Sequence, residues 1–407
     1  MSSAPLEGIR VLDLTRFVSG PHATQMLADY GADVVKVEPP GVGDPTRQLD
    51  RLAGEPDSLF AITLNRGKRS LALDLYSDEG KAVLADLVKA ADVLVENFRP
   101  GTLEQMRFGW DALHEMNPRL ILVRISGFGQ DGPWAKRAAY DPVIQALSGI
   151  QALTGAADGP PTVAGTIITD YLTGLHAVIG TTTALQGRER TGEGQWVDVS
   201  MLDGTTTLLG TVMPEYLMLG RERQRQGNKN PVSVPSHTFA CGCGGYVHIT
   251  AANDADFRKI CTVMGRPELA DDARFTTMEA RKLNYVECEQ AVTDWTMTME
   301  AAEVERLMLN QRLASAKIAT IKDVAENPQL AHRGHFGEVE HPIQGKIPMA
   351  GPALRFSEMP PRDTQRIPLA GEHSDAVLMD WLGYDANQLE TLNAAGTTGH
   401  ADKEPKT

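Results

Sequence analysis

Ile9-Arg10-Val11-Leu12-Asp13-Leu14, then Gly20-Pro21, then Gly31-Ala32-Asp33-Val34-Val35-Lys36-Val37-Glu38-Pro39-Pro40 is the stretch that decides the fold. The first six residues read as a buried strand. Gly20-Pro21 opens a helix that runs to Tyr30, with Pro21 suited to a first turn. Gly31 stops the helix, Val34 to Glu38 forms a second strand, and Pro39-Pro40 ends it. A strand, helix and strand in such close succession imply parallel pairing.

The pattern continues outward. Ser70 to Leu75 alternates as a strand. Ser77 caps a helix that carries Asp78 and Glu79 in its first turn and an apolar face of Val83, Leu84, Leu87 and Val88. Val93 to Glu96 and Leu120 to Ile125 read as strands, with a helix from Leu103 to Met116 between them. Helices are expected over Asp141–Leu153, Thr169–Arg188 and Leu202–Leu219, with a strand over Trp196–Ser200. This alternation predicts an α/β, doubly wound domain with a parallel sheet. A smaller α+β unit follows the polar linker Arg221–Lys229. It has a strand at Tyr246–Thr250, helices at Asp254–Met264 and Val286–Leu307, and further elements at Leu313–Val324 and Ala331–Glu340. Pro360-Pro361 mark a returning segment, and Ser374 to Leu382 forms a last helix. The expected domains are therefore 1–220, a linker at 221–229, a small domain at 230–340, a segment at 341–395 that completes the large domain, and a flexible tail at 396–407.

The composition narrows the function. The 407 residues are 42% hydrophobic and 23% charged, as in an ordinary globular protein. The net charge of −14 argues against a nucleic-acid partner, which needs concentrated Lys and Arg. It leaves room for a local basic pocket. Cys241, Cys243, Cys261 and Cys288 are too few and too clustered for a disulfide framework, and no second Cys/His pair stands at zinc spacing, so no metal is expected. No apolar leader precedes Leu6 and no apolar run is long enough to span a membrane, so the expected location is the cytoplasm.

The first strand-to-helix turn, Leu14 to Pro21, lacks the glycine spacing of a dinucleotide site, although Glu38 stands where such an enzyme would place its ribose acid. No phosphate loop, metalloprotease helix or nucleophile-elbow serine is present. Carboxylates remain, and Asp170 is the most informative. It opens a nearly uncharged helix between Ile167-Ile168-Thr169 and Tyr171-Leu172-Thr173-Gly174. An Asp in that place is ordinarily an N-cap.

Several segments resemble the class III CoA-transferases, in order along almost the whole chain. They are Leu6 to Asp13, Gly31 to Arg47, Asn65-Arg66-Gly67-Lys68-Arg69-Ser70, Val95-Glu96-Asn97-Phe98-Arg99-Pro100-Gly101, Gly192 to Ser200, Asn327-Pro328-Gln329-Leu330 and Gly371-Glu372-His373-Ser374. The resemblance implies a large Rossmann-like domain with a smaller α+β domain, in an interlocked homodimer. It implies a transferase (EC 2.8.3.-) that moves CoA from an acyl-CoA to a small carboxylic acid, with CoA as substrate and no tightly bound cofactor. Asp170 inherits the role of covalent nucleophile, which passes through an acyl anhydride and an enzyme–CoA thioester. A nearby helix N-terminus would keep it ionised. The resemblance places CoA near Val18, Ser19, Leu73, Tyr76, Asn97, Phe98, Arg99 and Gln105, with Tyr140 and Asp141 at the thioester. Lys68, Arg69, Arg99 and Arg137 are candidate phosphate donors. Gln105 stands where some members carry Arg, and Arg107 is a candidate substitute.

Two other readings stay open. Acyl-CoA racemases of the same superfamily use a His where this chain has Tyr140, and Tyr is a poor base at neutral pH. His176 points roughly 120° away from Asp170 round the helix, which suits packing. A non-catalytic CoA-binding protein is the other reading. Gln226-Gly227-Asn228-Lys229-Asn230-Pro231 lacks the glycine run of formyl-CoA transferases, so small dicarboxylates or hydroxy acids become expected partners, with His237 and Lys229 as possible carboxylate contacts.

Overall fold

The computed structural model describes residues 4–51, 55, 57–230, 232–359 and 365–399. These divide into two compact units. The first comprises residues 1–151, 163–222 and 334–407, and the second 152–162 and 223–333.

In the first unit the chain runs β1 (Arg10–Asp13), α1 (Ser19–Asp29), β2 (Asp33–Glu38), α2 (Leu59–Asn65), β3 (Arg69–Leu73), α3 (Asp78–Ala90), β4 (Val93–Glu96), α4 (Thr102–Gln105), α5 (Trp110–Met116) and β5 (Ile121–Ser126). It continues through α6 (Asp141–Leu147), α7 (Ile150–Leu153), whose end passes into the second unit, and α8 (Ile168–Thr191). Then come β6 (Trp196–Ser200), α9 (Met201–Thr206) and α10 (Val212–Leu219). The sheet order is β3-β2-β1-β4-β5-β6, all parallel. The order reverses beside β1, which pairs with both β2 and β4. In open α/β sheets such a switch point is where ligands bind, at the carboxyl ends of the strands.

The strands read as continuous apolar runs because both faces are covered. Successive side chains alternate, so Leu12, Leu94 and Leu122 join Leu84 and Leu87 of α3 in one core layer, while Val11, Val93 and Ile121 join Leu27 of α1 and Ala177 of α8 in the other.

The second unit holds β7 (Ser236–Ala240), β8 (Tyr246–Thr250), α11 (Asp254–Val263), α12 (Met278–Leu283), α13 (Tyr285–Thr296), α14 (Ala301–Asn310), β9 (Ala314–Lys317), α15 (Ile321–Ala325) and α16 (Pro328–His332). The three strands form an antiparallel sheet over a core of Phe239, Val247, Ile249, Phe257, Ile260 and Val292. Cys241, Cys261 and Cys288 belong to that core, and Cys243 is exposed. The chain then returns to the first unit as the hairpin β10 (Phe336–His341) and β11 (Gly345–Ala350), followed by α17 (Ser374–Leu382), α18 (Ala386–Ala394) and β12 (Thr398–Gly399).

Several expectations are corrected. The flexible tail does not begin at Gly396, because Thr398 and Gly399 pair antiparallel with Leu73 and Ala72 as the edge strand beside β3. The expected boundary at 340 cuts through β10, which belongs with the first unit. The single helix expected over 103–116 breaks where Arg107 turns left-handed at φ 68°. The helices over 141–153 and 202–219 break at Gly149 (φ 87°) and Gly210 (φ 48°). The returning segment at Pro360-Pro361 and residues 400–407 lie outside the described residues. No helix among the described residues is long and apolar enough to cross a membrane.

Candidate active site

Asp170 is the third residue of α8, not its cap. Ile167 precedes the helix and makes no side-chain cap bond. The cap comes from elsewhere: Asp141, buried at the start of α6, accepts from the Thr169 backbone N–H and hydroxyl, each at 2.7 Å, and from the Asp170 N–H at 3.3 Å. Its other oxygen takes the Gln145 amide. Asp141, expected beside the thioester, is thus committed to holding the end of α8.

With α8's own donors taken, the Asp170 carboxylate finds its partners on α1. The Ser19 hydroxyl and backbone N–H, at the first position of that helix, face it. Burial and the neighbouring Asp141 outweigh these donors, and the Asp170 pKa is pushed up to about 6. The shift is opposite to the one expected from a nearby helix N-terminus. A carboxylate so raised is more basic and still largely ionised at neutral pH.

Gly174 sets how closely α1 and α8 approach. A Cβ there would stand 2.8 Å from His22 Cδ2 and 3.0 Å from the Ser19 carbonyl oxygen. His22 has little room to yield, because its ring packs edge-on against Tyr171 with centroids 4.7 Å apart. Gly174→Ala should spread the two helices and draw Ser19 away from Asp170. We expect kcat/KM to fall about 10-fold or more, with a lower melting temperature. Steady-state rates that match the wild type would show that this close approach does not serve the site.

No histidine among the described residues acts on Asp170. His22 is held neutral, its pKa brought down to about 4 first by burial and then by Lys68. His176 directs Nδ1 to the Leu172 carbonyl at 3.0 Å and packs over Gly204, the helix-packing role expected of it. Tyr140 is exposed and meets Phe17 of the β1–α1 turn edge-on, with centroids 6.5 Å apart.

At the switch point, the turns after β1 and β4 are tied together. The Arg16 N–H donates to Asn97 Oδ1 at 2.8 Å, and Asn97 Nδ2 donates to the Arg16 carbonyl at 2.7 Å. The Phe98 N–H donates to Glu96 Oε2, which fixes the second turn. Between the turns lies a cleft lined by Leu14, Arg16, Glu38, Pro39, Leu73, Asp74, Leu75, Tyr76 and Phe98. Three expected contacts, Leu73, Tyr76 and Phe98, thus share one cleft. The Leu73 side chain is in the core, so only its backbone is presented. Val18 and Ser19 are buried at the start of α1. Arg99 and Gln105 are exposed near α4, as is Arg107, and none of the three lines the cleft.

Sequence reasoning passed over Arg16, whose guanidinium lies over the Phe98 ring 5.4 Å from its centroid. Its position in the β1–α1 turn, three residues before Ser19, was the available signal. Other candidate phosphate donors are engaged elsewhere. Lys68 is fully buried on Asp13 at 3.0 Å. Arg69 pairs with Asp33 and Asp380, and Arg137 lies over the Phe128 and Trp134 rings. Both oxygens of Glu38 take Arg47 at 2.7 Å, which leaves no free ribose acid. Among the described residues no cluster of three or more His, Cys, Asp or Glu could hold a metal ion.

The described residues thus join a parallel sheet with a cleft at the carboxyl ends of its strands and a buried carboxylate, Asp170, that faces the start of α1. The chain belongs to CoA-transferase family III, whose model matches residues 6–374. It is 38% identical to the succinyl-CoA–D-citramalate CoA-transferase of Chloroflexus aurantiacus, over 96% of this chain and 97% of that one. It is 37% identical to the formyl-CoA:oxalate CoA-transferase of Rhodopseudomonas palustris, over 96% of each. Among solved structures it is similar to a CAIB/BAIF family protein from Brucella suis, with a TM-score of 0.84 and 35% identity, covering 93% of this chain and 100% of that one. These relatives support CoA-transferase activity on CoA thioesters for this chain.

Proposed function

We propose that the protein moves CoA from an acyl-CoA donor to a small carboxylic acid, with Asp170 as the covalent carrier. The observation behind this is the Asp170 carboxylate, raised to about 6 and facing the Ser19 hydroxyl and N–H. The carboxylate attacks the thioester carbonyl and releases CoA thiolate, leaving an aspartyl anhydride. The thiolate attacks the aspartyl carbonyl, and the donor acid departs from an aspartyl–CoA thioester. The acceptor carboxylate displaces CoA from that thioester, and the thiolate then takes the acceptor acyl group and restores Asp170. Each step exchanges one activated acyl bond for another, so no external energy source enters. The Ser19 N–H and hydroxyl are placed to polarise the Asp170 carbonyl while it is acylated.

CoA's nucleotide end occupies the cleft of Arg16, Tyr76 and Phe98, with Arg16 as a phosphate donor. The acceptor is a small dicarboxylic or hydroxy acid, in line with the succinyl-CoA and D-citramalate named for the Chloroflexus relative. A racemase reading is disfavoured because no histidine among the described residues acts on Asp170, and burial leaves His22 a weak base. A purely CoA-binding role is disfavoured by the tuned carboxylate itself.

Two copies work together in this reading. None of the eight residues of α10 is buried, and Leu217, Met218 and Leu219 are 73%, 79% and 60% exposed. Leu175 and Ile179 of α8 are also exposed, and apolar surface on this scale needs a cover. The free cysteines suit a reducing, cytoplasmic setting.

Incubation with an acyl-CoA and hydroxylamine should convert Asp170 to a hydroxamate, found as a mass shift on the peptide that contains it. A protein that binds acyl-CoA yet stays unmodified, or that exchanges the α-proton instead, would remove the covalent reading.

A further inference from the structure

Phe98 enters the cleft from the turn between β4 and α4. Locally the turn is closed by the Thr102 hydroxyl and N–H, which donate to the Arg99 carbonyl at 2.7 and 3.0 Å. α4 is four residues long, follows Gly101 at φ 92°, and has no side-chain cap. Leu103 roots it in the core. A further hold comes from β5, and the transfer chemistry makes no use of it. Arg124 is only 9% exposed and stands opposite Glu96 in the parallel register. Its Nε donates to Glu96 Oε1 at 2.9 Å, and its Nη1 and Nη2 reach Glu104 Oε1 and Oε2 at 2.9 and 3.2 Å. Glu96 Oε2 receives the Phe98 N–H at 2.7 Å. One guanidinium thus joins the last residue before the turn, the helix after it and, through Glu96, the backbone of Phe98.

An arginine suits this place because its planar fork makes several fixed bonds at once, where a lysine offers one point charge. Three carboxylates draw on the one cation, since Asp198 of β6 is its neighbour in register on the other side. Burial pushes Glu96 up to about 7 even with Arg124 in place. Without the arginine the carboxyl keeps its proton at neutral pH, and a neutral Glu96 costs the fold less than a stranded charge. Its Oε2 would still accept from Phe98, but the tie to Glu104 would be lost.

We propose that Arg124 is a positioning residue for the CoA cleft. It touches no substrate. It fixes the tilt of α4 and the height of Phe98, whose ring lies beneath the Arg16 guanidinium. This role rests on the reading that CoA's nucleotide end occupies the cleft, and it adds what keeps that cleft in shape before CoA arrives. A wall that is already ordered costs less to bind against, so the effect falls on affinity.

Calorimetric titration of the full-length protein tests this, with CoA and with 3′-phosphoadenosine 5′-diphosphate as its nucleotide part alone. Arg124→Met should bind both about 10-fold more weakly. Glu104→Ala, at a side chain 45% exposed, should weaken both about 3-fold. The sign separates two causes. Removing a negative charge near the phosphates would by itself tighten them, so weaker binding in Glu104→Ala reports the lost hold and not the field. In a Phe98→Ala background the Arg124→Met effect should shrink to less than about 2-fold, because it acts through that ring. Tighter or unchanged CoA binding in Glu104→Ala would overturn the proposal, as would an Arg124→Met effect that persists in full without the Phe98 ring. If Arg124→Met does not fold, Glu104→Ala decides alone. Phe98→Ala with wild-type affinity would instead defeat the placement of CoA in the cleft, and this role with it.

Discussion

Replacing Asp170 with Ala should lower CoA transfer by about 10³-fold or more, because in the proposed sequence both the anhydride and the thioester form on its carboxyl. The same residue should set the pH dependence. Its pKa is raised from 3.8 to about 6, so kcat/KM should fall as the pH drops through 6 and the nucleophile is protonated. Stability should move the other way. A carboxyl that holds its proton more tightly in the folded state favours folding at low pH, and that advantage is lost as the pH rises from about 4 to about 6. Above that window the ionised group costs the fold about 3 kcal/mol. Asp170→Asn should therefore melt higher than the wild type at pH 7.5, and the gain should vanish at pH 4. A variant that is inactive and also less stable at pH 7.5 would mean that Asp170 supports the fold rather than working against it. Retained activity in Asp170→Ala would end the mechanism altogether.

The second large effect is expected at Asp13. Its carboxylate, fully buried at the end of β1, accepts from Lys68 at 3.0 Å, from the Thr24 hydroxyl at 2.6 Å and from the Thr15 hydroxyl at 2.5 Å. Burial already brings the Lys68 pKa down to about 8 with Asp13 present. Asp13→Ala leaves that ammonium enclosed, with Lys36 repelling it. Breaking a buried pair from one side costs about 3–5 kcal/mol. Activity should fall too, since Thr15 begins the turn that delivers Ser19, and Lys36 braces the same turn by donating to the Thr15 carbonyl at 2.8 Å. Adding Lys68→Met removes the stranded charge, so the double variant should recover a large part of the lost stability. Urea unfolding midpoints for the four members of the cycle measure this. A cost below about 1 kcal/mol for Asp13→Ala, or no recovery in the double variant, would show that the pair is not coupled.

Much of the buried polar network could be foreseen as residues but not as contacts. The segment Gly31 to Arg47 carries Lys36, Glu38, Asp44 and Arg47, and the structure joins them within a few residues of each other: Lys36 to Asp44 at 2.8 Å and Arg47 to Glu38 at 2.7 Å. Arg47 also reaches Asp57, and His341 of the distant β10 meets Asp57 at 3.1 Å. Gly371 to Ser374 is one of the segments that carry the family resemblance. It is where the returning chain docks on β3, with the Ser70 hydroxyl receiving the Gly371 N–H at 2.8 Å and Ser374 Oγ receiving the Ala72 N–H at 3.1 Å. Charged residues in such segments read as ligand contacts until their partners are known.

The sequence by itself determined the parallel sheet, because strands covered on both faces must be apolar throughout and their helices must show a 3.6-residue period, and both signals are local. It also drew attention to Asp170 by its place at the start of a nearly uncharged helix, while Phe98 and Tyr76 came only with the family resemblance. Only the tertiary structure decided what Asp170's environment does to it. Asp141 arrives from α6 to cap α8, Ser19 from α1 to face the carboxylate, and Gly174 sets the gap between them. The field at a carboxylate is a sum over neighbours that lie far apart along the chain, and a linear pattern does not contain those distances.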